Sequence, residues 1–233
     1  DYTERLQSIL RAADPLGMVV IVSFFYFGQD QRLEDEAAIR RATREATEWL
    51  SGLGLANCLI EIANETDHPA YSHNCFHPER VSALIRIAQE VSEGRVPNRL
   101  GRFAVGTSMG GGNLPSPAIV ADSDLILLHG NMVDDPATLP KMVESVRAMP
   151  DYRQQPIVFN EDDHFAFDQP ENHFLAATRA HASWGFFDYR MKGEDDFHEG
   201  YQSVPCDWGI RSARKRGFFG LLKEMTDESQ CRE

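Results

Sequence analysis

The strongest constraint on this chain is a rhythm: short β-rich runs alternate with stretches of helical periodicity. The expected strands are residues 18–27, 57–63, 102–107, 124–129, 156–160 and 184–189. Between them, residues 33–50 set Ile39, Ala42, Ala46 and Trp49 on one helical face at steps of three and four. Residues 78–93 do the same with Val81, Leu84, Ile85, Ala88 and Val91, and residues 136–149 with Leu139, Met142, Val143 and Val146. A last helix is expected over 213–225, carrying Phe218, Phe219, Leu222 and Met225. Pro78, Pro136 and Pro170 suit first-turn positions, where a missing N–H is harmless, and Asp135 suits an N-cap. Strands that alternate with helices run parallel and are joined by crossovers, as in an open doubly wound sheet or a (β/α) barrel.

Side-chain parity favours the barrel. In the second run, Cys58, Ile60 and Ile62 share one face, and Leu59, Glu61, Ala63 and Glu65 the other. The apolar face suits helices, and the mixed face suits a barrel lumen, where polar groups can cluster. A sheet covered by helices on both faces would have to bury Glu61 against apolar side chains, which is costly. No glycine fingerprint of a dinucleotide fold follows any strand. The run Ser108-Met-Gly-Gly-Gly-Asn113 lacks the lysine of a phosphate loop and reads as a flexible loop.

At 233 residues, the chain is read as a single domain over 1–233. A net charge of −13 argues against a nucleic-acid partner, because phosphate binding needs a positive surface. The one basic run, Arg211-Ser-Ala-Arg-Lys-Arg216, reads as the solvated start of a helix. No apolar run reaches the length of a membrane span. Cys58, Cys75, Cys206 and Cys231 form no CxxC pair and are read as mostly free thiols. The chain opens on Asp1 rather than Met, so a longer parent is expected.

In barrels of this kind, chemistry sits at the C-terminal strand ends. Those ends here are Tyr26-Phe-Gly-Gln29, Asn64-Glu65, His129-Gly-Asn131, Asn160-Glu161-Asp-Asp-His164 and Asp188-Tyr189. Together they describe a carboxylate-centred pocket with aromatic walls. Glu65 and Glu161 continue the lumen parity of Ala63 and Phe159 and would face one another across the mouth. Facing carboxyls suit glycoside hydrolysis, in which one protonates the leaving oxygen and the other attacks the anomeric carbon or activates water.

The strand ending IEIANE, followed three units later by one ending IVFNE, resembles clan A of the retaining glycoside hydrolases. Within that clan it is most similar to the cellulase-like glycoside hydrolase family 5. The resemblance implies a (β/α)8 TIM-type barrel, of which about six of the eight units lie in this chain. It makes Glu65 the acid/base and Glu161 the nucleophile. Asn64 would meet a sugar hydroxyl, and His129 would approach Glu161 or the sugar. Asn131, His164, Tyr26, Gln29, Asp188 and Tyr189 complete the expected carbohydrate-binding set, with no cofactor and no metal. Two features depart from the clan: strands one and two are missing, and Trp184 begins the last strand rather than ending it.

Two other readings compete. The first is a barrel that binds carbohydrate or a protein partner without turnover. In the second, a metal-dependent hydrolase, Asp162, Asp163 and His164 would be ligands with His173 nearby, although no HxH or HxxxH pair supports them. Tyr71, His73, Cys75 and His77 read as a polar loop lining a cleft.

Overall fold

The computed structural model describes residues 1–226, so Cys231 lies outside the described residues. Among the described residues, six strands and seven α-helices alternate: α1 (Tyr2–Ala13), β1 (Val20–Phe25), α2 (Glu36–Gly52), β2 (Cys58–Ala63), α3 (Ser82–Ser92), β3 (Ala104–Gly106), α4 (Pro117–Asp122), β4 (Ile126–His129), α5 (Thr138–Arg147), β5 (Ile157–Asp162), α6 (His173–Arg179), β6 (Ser183–Phe186) and α7 (Ala213–Thr226). All strand pairs are parallel, in two three-stranded sheets ordered β1-β2-β3 and β4-β5-β6. The sheets abut where the Asp124 N–H donates to the Val105 carbonyl at 2.8 Å. Gly106 permits that approach, since a Cβ there would lie 2.6 Å from the Leu125 oxygen.

The expected strands and parallel crossovers are therefore present, but the closed barrel is not. Among the described residues, β1 and β6 each pair with one neighbour only. Parity in β2 behaves as expected: Cys58, Ile60 and Ile62 are buried in the first of two apolar cores, which holds α2 and α3. A second core joins β4–β6 to α5, α6 and α7.

Helix α2 buries Ile39, Thr43, Thr47 and Leu50, one step round from the expected stripe. Two threonines serve in a core because their hydroxyls bond back to carbonyls, Thr43 to Ile39 at 3.0 Å and Thr47 to Thr43 at 2.7 Å. The displaced Ala42, Ala46 and Trp49 line a 440 Å³ cavity between α1, α2 and β1. Pro78, Pro136 and Pro170 precede their helices rather than opening them. Helix α4 does open on proline, Pro117, behind its cap Ser116.

The basic run at the start of α7 is only half solvated: Arg211 and Arg216 are exposed, but Arg214 and Lys215 are not. Arg214 is 8% exposed and Lys215 fully buried. Arg214 Nε lies 2.8 Å from Asp188 and 2.7 Å from Glu199, and Arg214 Nη1 lies 3.0 Å from Glu194. Lys215 Nζ donates to the Asp207 carbonyl at 2.8 Å. These contacts fasten the long β6–α7 connection to α7, a role that no local pattern in Arg211–Arg216 announces.

Candidate active site

Both glutamates stand just beyond a break in strand regularity. β2 stops at Ala63, and Glu65 has φ +51°, in the left-handed region that non-glycine residues seldom occupy. Strand parity thus does not aim Glu65; a turn does. Its amide donates to Ser108 Oγ at 3.0 Å, and the neighbouring Thr66 amide donates to the Ser108 carbonyl at 2.9 Å. Glu161 follows a bulge. Leu128 pairs with Phe159 and His129 with Glu161, so Asn160 is the extra residue. Bulges commonly re-aim a side chain beside a functional site.

These two devices bring the glutamates together around His129. His129 Nδ1 is 3.1 Å from Glu65 Oε1, and Nε2 is 3.9 Å from Glu161 Oε2. One donor atom from each of Glu65, His129 and Glu161 lies within 4.8 Å of the others. Asn131 Nδ2 donates to Glu161 Oε1 at 2.7 Å and Asn64 Nδ2 to Oε2 at 3.3 Å, so both Glu161 oxygens are held. His129 has no exposed surface, and burial alone would lower its pKa. The Glu65 hydrogen bond and the charges of Glu161, Glu61 and Glu65 outweigh burial and raise it.

The cleft has two adjoining chambers of about 490 and 580 Å³. Asn131 and Tyr189 line both, Glu161 and Tyr26 line the first, and Glu65 lines the second. Tyr26 is half exposed, and burial together with the charges of Glu161 and Glu65 raises its pKa. Tyr189 donates to Asp163 Oδ2 at 3.1 Å. Tyr26, Phe27 and His68 form a continuous ring stack, with centroids 4.1 and 3.7 Å apart.

Three expected site residues lie elsewhere. Gln29 is exposed in a turn and lines neither chamber. Asp188 is fully buried, accepting from the Gly200 and Tyr201 amides and pairing with Arg214, so it anchors the cleft wall rather than touching its contents. His164 is held by Asp162 at 2.7 Å and stacks on His173, ring centroids 3.8 Å apart and 7° from parallel.

That stack also speaks against the metal reading. Asp162, His164 and His173 offer donors close enough for one cation. The imidazole lone pairs, however, lie in their ring planes, and two nearly parallel planes do not converge on a common point. Asp162 also accepts from Trp184 Nε1 at 2.8 Å, and His173 Nε2 donates to the Val133 carbonyl at 2.6 Å. The Tyr71–His77 loop does not line the cleft either. Tyr71 supports the Asn64 carbonyl at 2.7 Å, and His73 is bound to Asp30 at 2.9 Å.

Sequence reasoning missed Asp67, Asn113, Met132, Phe187, Gln202 and Ser203, all on cleft walls. Asp67 accepts from the Gly110 amide at 2.6 Å and from Asn113 Nδ2 at 2.7 Å, which orders the glycine run read as a flexible loop. The signal was Asp67 itself, two residues beyond Glu65, but its partner lies 43 residues away.

No protein-family model and no curated protein matches the sequence. Solved structures do match in shape. A β-glucosidase in its apo form superposes with TM-score 0.54 at 12% identity, over 79% of this chain and 67% of its own. A broad-specificity endoglucanase of glycoside hydrolase family 5 from Clostridium longisporum gives 0.54 at 13%, over 79% and 65%. A Bacteroides vulgatus protein provisionally named a glycoside hydrolase gives 0.57 at 13%, over 95% and 42%. This chain spans about two thirds of the first two and under half of the third. At these identities the likeness is one of fold: a parallel α/β arrangement of TIM-barrel type.

Proposed function

We propose that this chain carries the catalytic pair of a retaining glycoside hydrolase of the clan A type, with Glu65 as acid/base and Glu161 as nucleophile. The observation behind this is the approach of two strand-end carboxylates to within 4.8 Å around one buried histidine. Retaining enzymes hold their carboxyl groups ~5–5.5 Å apart, whereas inverting ones need ~6.5–9.5 Å to admit a water. One oxygen of each carboxylate lying within 4.8 Å of the other favours the shorter separation.

In the first step, a Glu161 oxygen attacks the anomeric carbon while the glycosidic C–O bond breaks. The Glu65 proton passes to the departing oxygen, leaving a glycosyl ester on Glu161 and a carboxylate at Glu65. In the second step, Glu65 takes a proton from water, whose oxygen displaces Glu161 from the sugar. Two inversions at one carbon give retention. Asn64 and Asn131 aim the Glu161 oxygens, and each amide group donates to the ionised form. His129 shares a hydrogen bond with Glu65, so the pair can hold the proton on either partner as the reaction requires. Tyr26 and Tyr189 supply ring faces and hydroxyls for a carbohydrate, the substrate class that the fold neighbours' names support.

The test is nucleophile replacement. Glu161→Gly should lose at least about 10³-fold in turnover of an activated aryl glycoside. Azide should restore it, giving a glycosyl azide of inverted configuration. Full activity in Glu161→Gln would end the proposal. Saccharide binding by the unaltered chain, with no turnover, would establish the non-catalytic reading instead.

A further inference from the structure

Glu61 is a carboxyl group buried inside the fold without a cationic partner at hydrogen-bonding distance among the described residues. It is 4% exposed and lies on the lumen side of β2, one turn of the pleat before Ala63. Ser108 Oγ donates to Glu61 Oε1 at 2.6 Å. A hydroxyl has one proton to give and lone pairs to receive. With its proton committed to Glu61, Ser108 Oγ turns a lone pair toward the Glu65 amide, which donates to it at 3.0 Å.

The segment that receives this contact needs it. Glu65 is left-handed at φ +51°, a conformation that persists only where the surroundings impose it. The surroundings here are β3 and its continuation. Thr107 Oγ1 donates to the Ala63 carbonyl at 2.7 Å, Thr66 Oγ1 donates to the Ser108 carbonyl at 3.1 Å, and Ser108 Oγ takes the Glu65 amide. Of these, only the last acts on Glu65 itself, whose carbonyl also accepts from the His68 amide at 2.8 Å. Glu61 fixes which way the Ser108 hydroxyl points and so governs the amide side of Glu65. Burial raises the Glu61 pKa, with the Ser108 and Ser23 hydroxyls and the His129 charge working against it.

We propose that Glu61 is a positioning residue: through Ser108 it holds the backbone of Glu65, and so aims the acid/base at the glycosidic oxygen. The inference rests on the reading of Glu65 as acid/base and names two residues that this reading does not use. Glu61 never meets substrate. Its oxygen only has to accept a hydrogen bond, so an amide in its place can do the same work.

The test separates aim from mere folding by the leaving group. A dinitrophenyl glycoside departs without protonation, whereas an alkyl glycoside depends on the acid. Ser108→Ala and Glu61→Leu should lower kcat on the alkyl substrate about a hundredfold, the scale of a displacement of about 1 Å. On the dinitrophenyl substrate the loss in the glycosylation step should stay within about threefold. Glu61→Gln and Ser108→Thr, which keep the acceptor and the hydroxyl, should restore the alkyl activity. Equal losses on both substrates would overturn the proposal while leaving Glu65 in its role. Amide hydrogen exchange supplies a readout that needs no turnover. The Glu65 N–H should exchange about tenfold faster in Glu61→Leu and Ser108→Ala, and at the original rate in Glu61→Gln. An unchanged Glu65 amide in Glu61→Leu overturns the positioning role whatever the enzyme does. If the amide responds but the unaltered protein turns over neither glycoside, it is the catalytic reading of Glu65 that fails.

Discussion

At the scale of single residues, the site is a set of polar groups each held by a partner distant in sequence. His129 is the clearest case. Its proton is bound more tightly in the folded protein than in the unfolded chain, since its folded pKa is raised above the ordinary value. It therefore contributes stability that is fully present below about pH 6.5 and is lost as pH rises through the folded pKa. His129→Gln should flatten the fall in melting temperature between about pH 6 and about pH 9. His164, raised mainly by its hydrogen bond to Asp162, titrates in both proteins, so the difference between the two melting curves isolates His129. Parallel curves would mean that His129 gains nothing from its carboxylate neighbours. The identity of the Glu65–Glu161 pair was legible in the sequence because strand ends announce themselves. Its aim was not, because a left-handed residue and a bulge leave no mark on an apolar alternation.

At the scale of elements, the connection from β6 to α7 shows where pattern reading stops. Asp188 reads from its position as a strand-end binding residue, and Arg214 as one charge in a surface run. In the structure each is the other's partner at 2.8 Å, and the Arg214 Nη2 group also donates to the Tyr189 carbonyl at 2.9 Å. A charge pattern cannot say which cations are buried, because burial of Arg214 depends on acids supplied from 15 to 26 residues upstream. Removing one member of such a pair leaves a buried charge uncompensated, at a cost of about 3–5 kcal/mol. Arg214→Met should show that loss in denaturant unfolding. It should also raise KM more than it lowers kcat, because Tyr189 and Ser203 shift while Glu65 and Glu161 remain in place. A stability change below about 1 kcal/mol would mean that the network acts as an ordinary surface pair.

At the scale of the whole molecule, all six strands and five of the seven α-helices were readable, whereas α1, α4 and the closure were not. Six strands in chain order form two sheets that meet at Val105 and Asp124, leaving β1 and β6 each with an unpaired side among the described residues. Unpaired strand edges recruit other strands, and the net charge of −13 opposes that at low salt. The isolated chain should accordingly self-associate more as ionic strength rises, seen as a concentration-dependent sedimentation coefficient. A lysine in place of Ile21, half-buried on β1 and in neither apolar core, should suppress it. A chain that sediments as a monomer at all salt concentrations would show that its edges are protected.

The irregular ends of β2 and β5 carry a consequence for how such a protein can vary. A strand that continues in register can gain or lose two residues and still present the same face. The glutamates here are placed instead by a bulge at Asn160 and a left-handed turn at Glu65, each locked to a fixed point on a neighbouring strand. Substitution within the strands is thus the permitted kind of change, while insertion or deletion is not. A descendant of this chain could exchange most of its apolar residues and keep its chemistry, yet lose it by gaining one residue between Ile60 and Glu65.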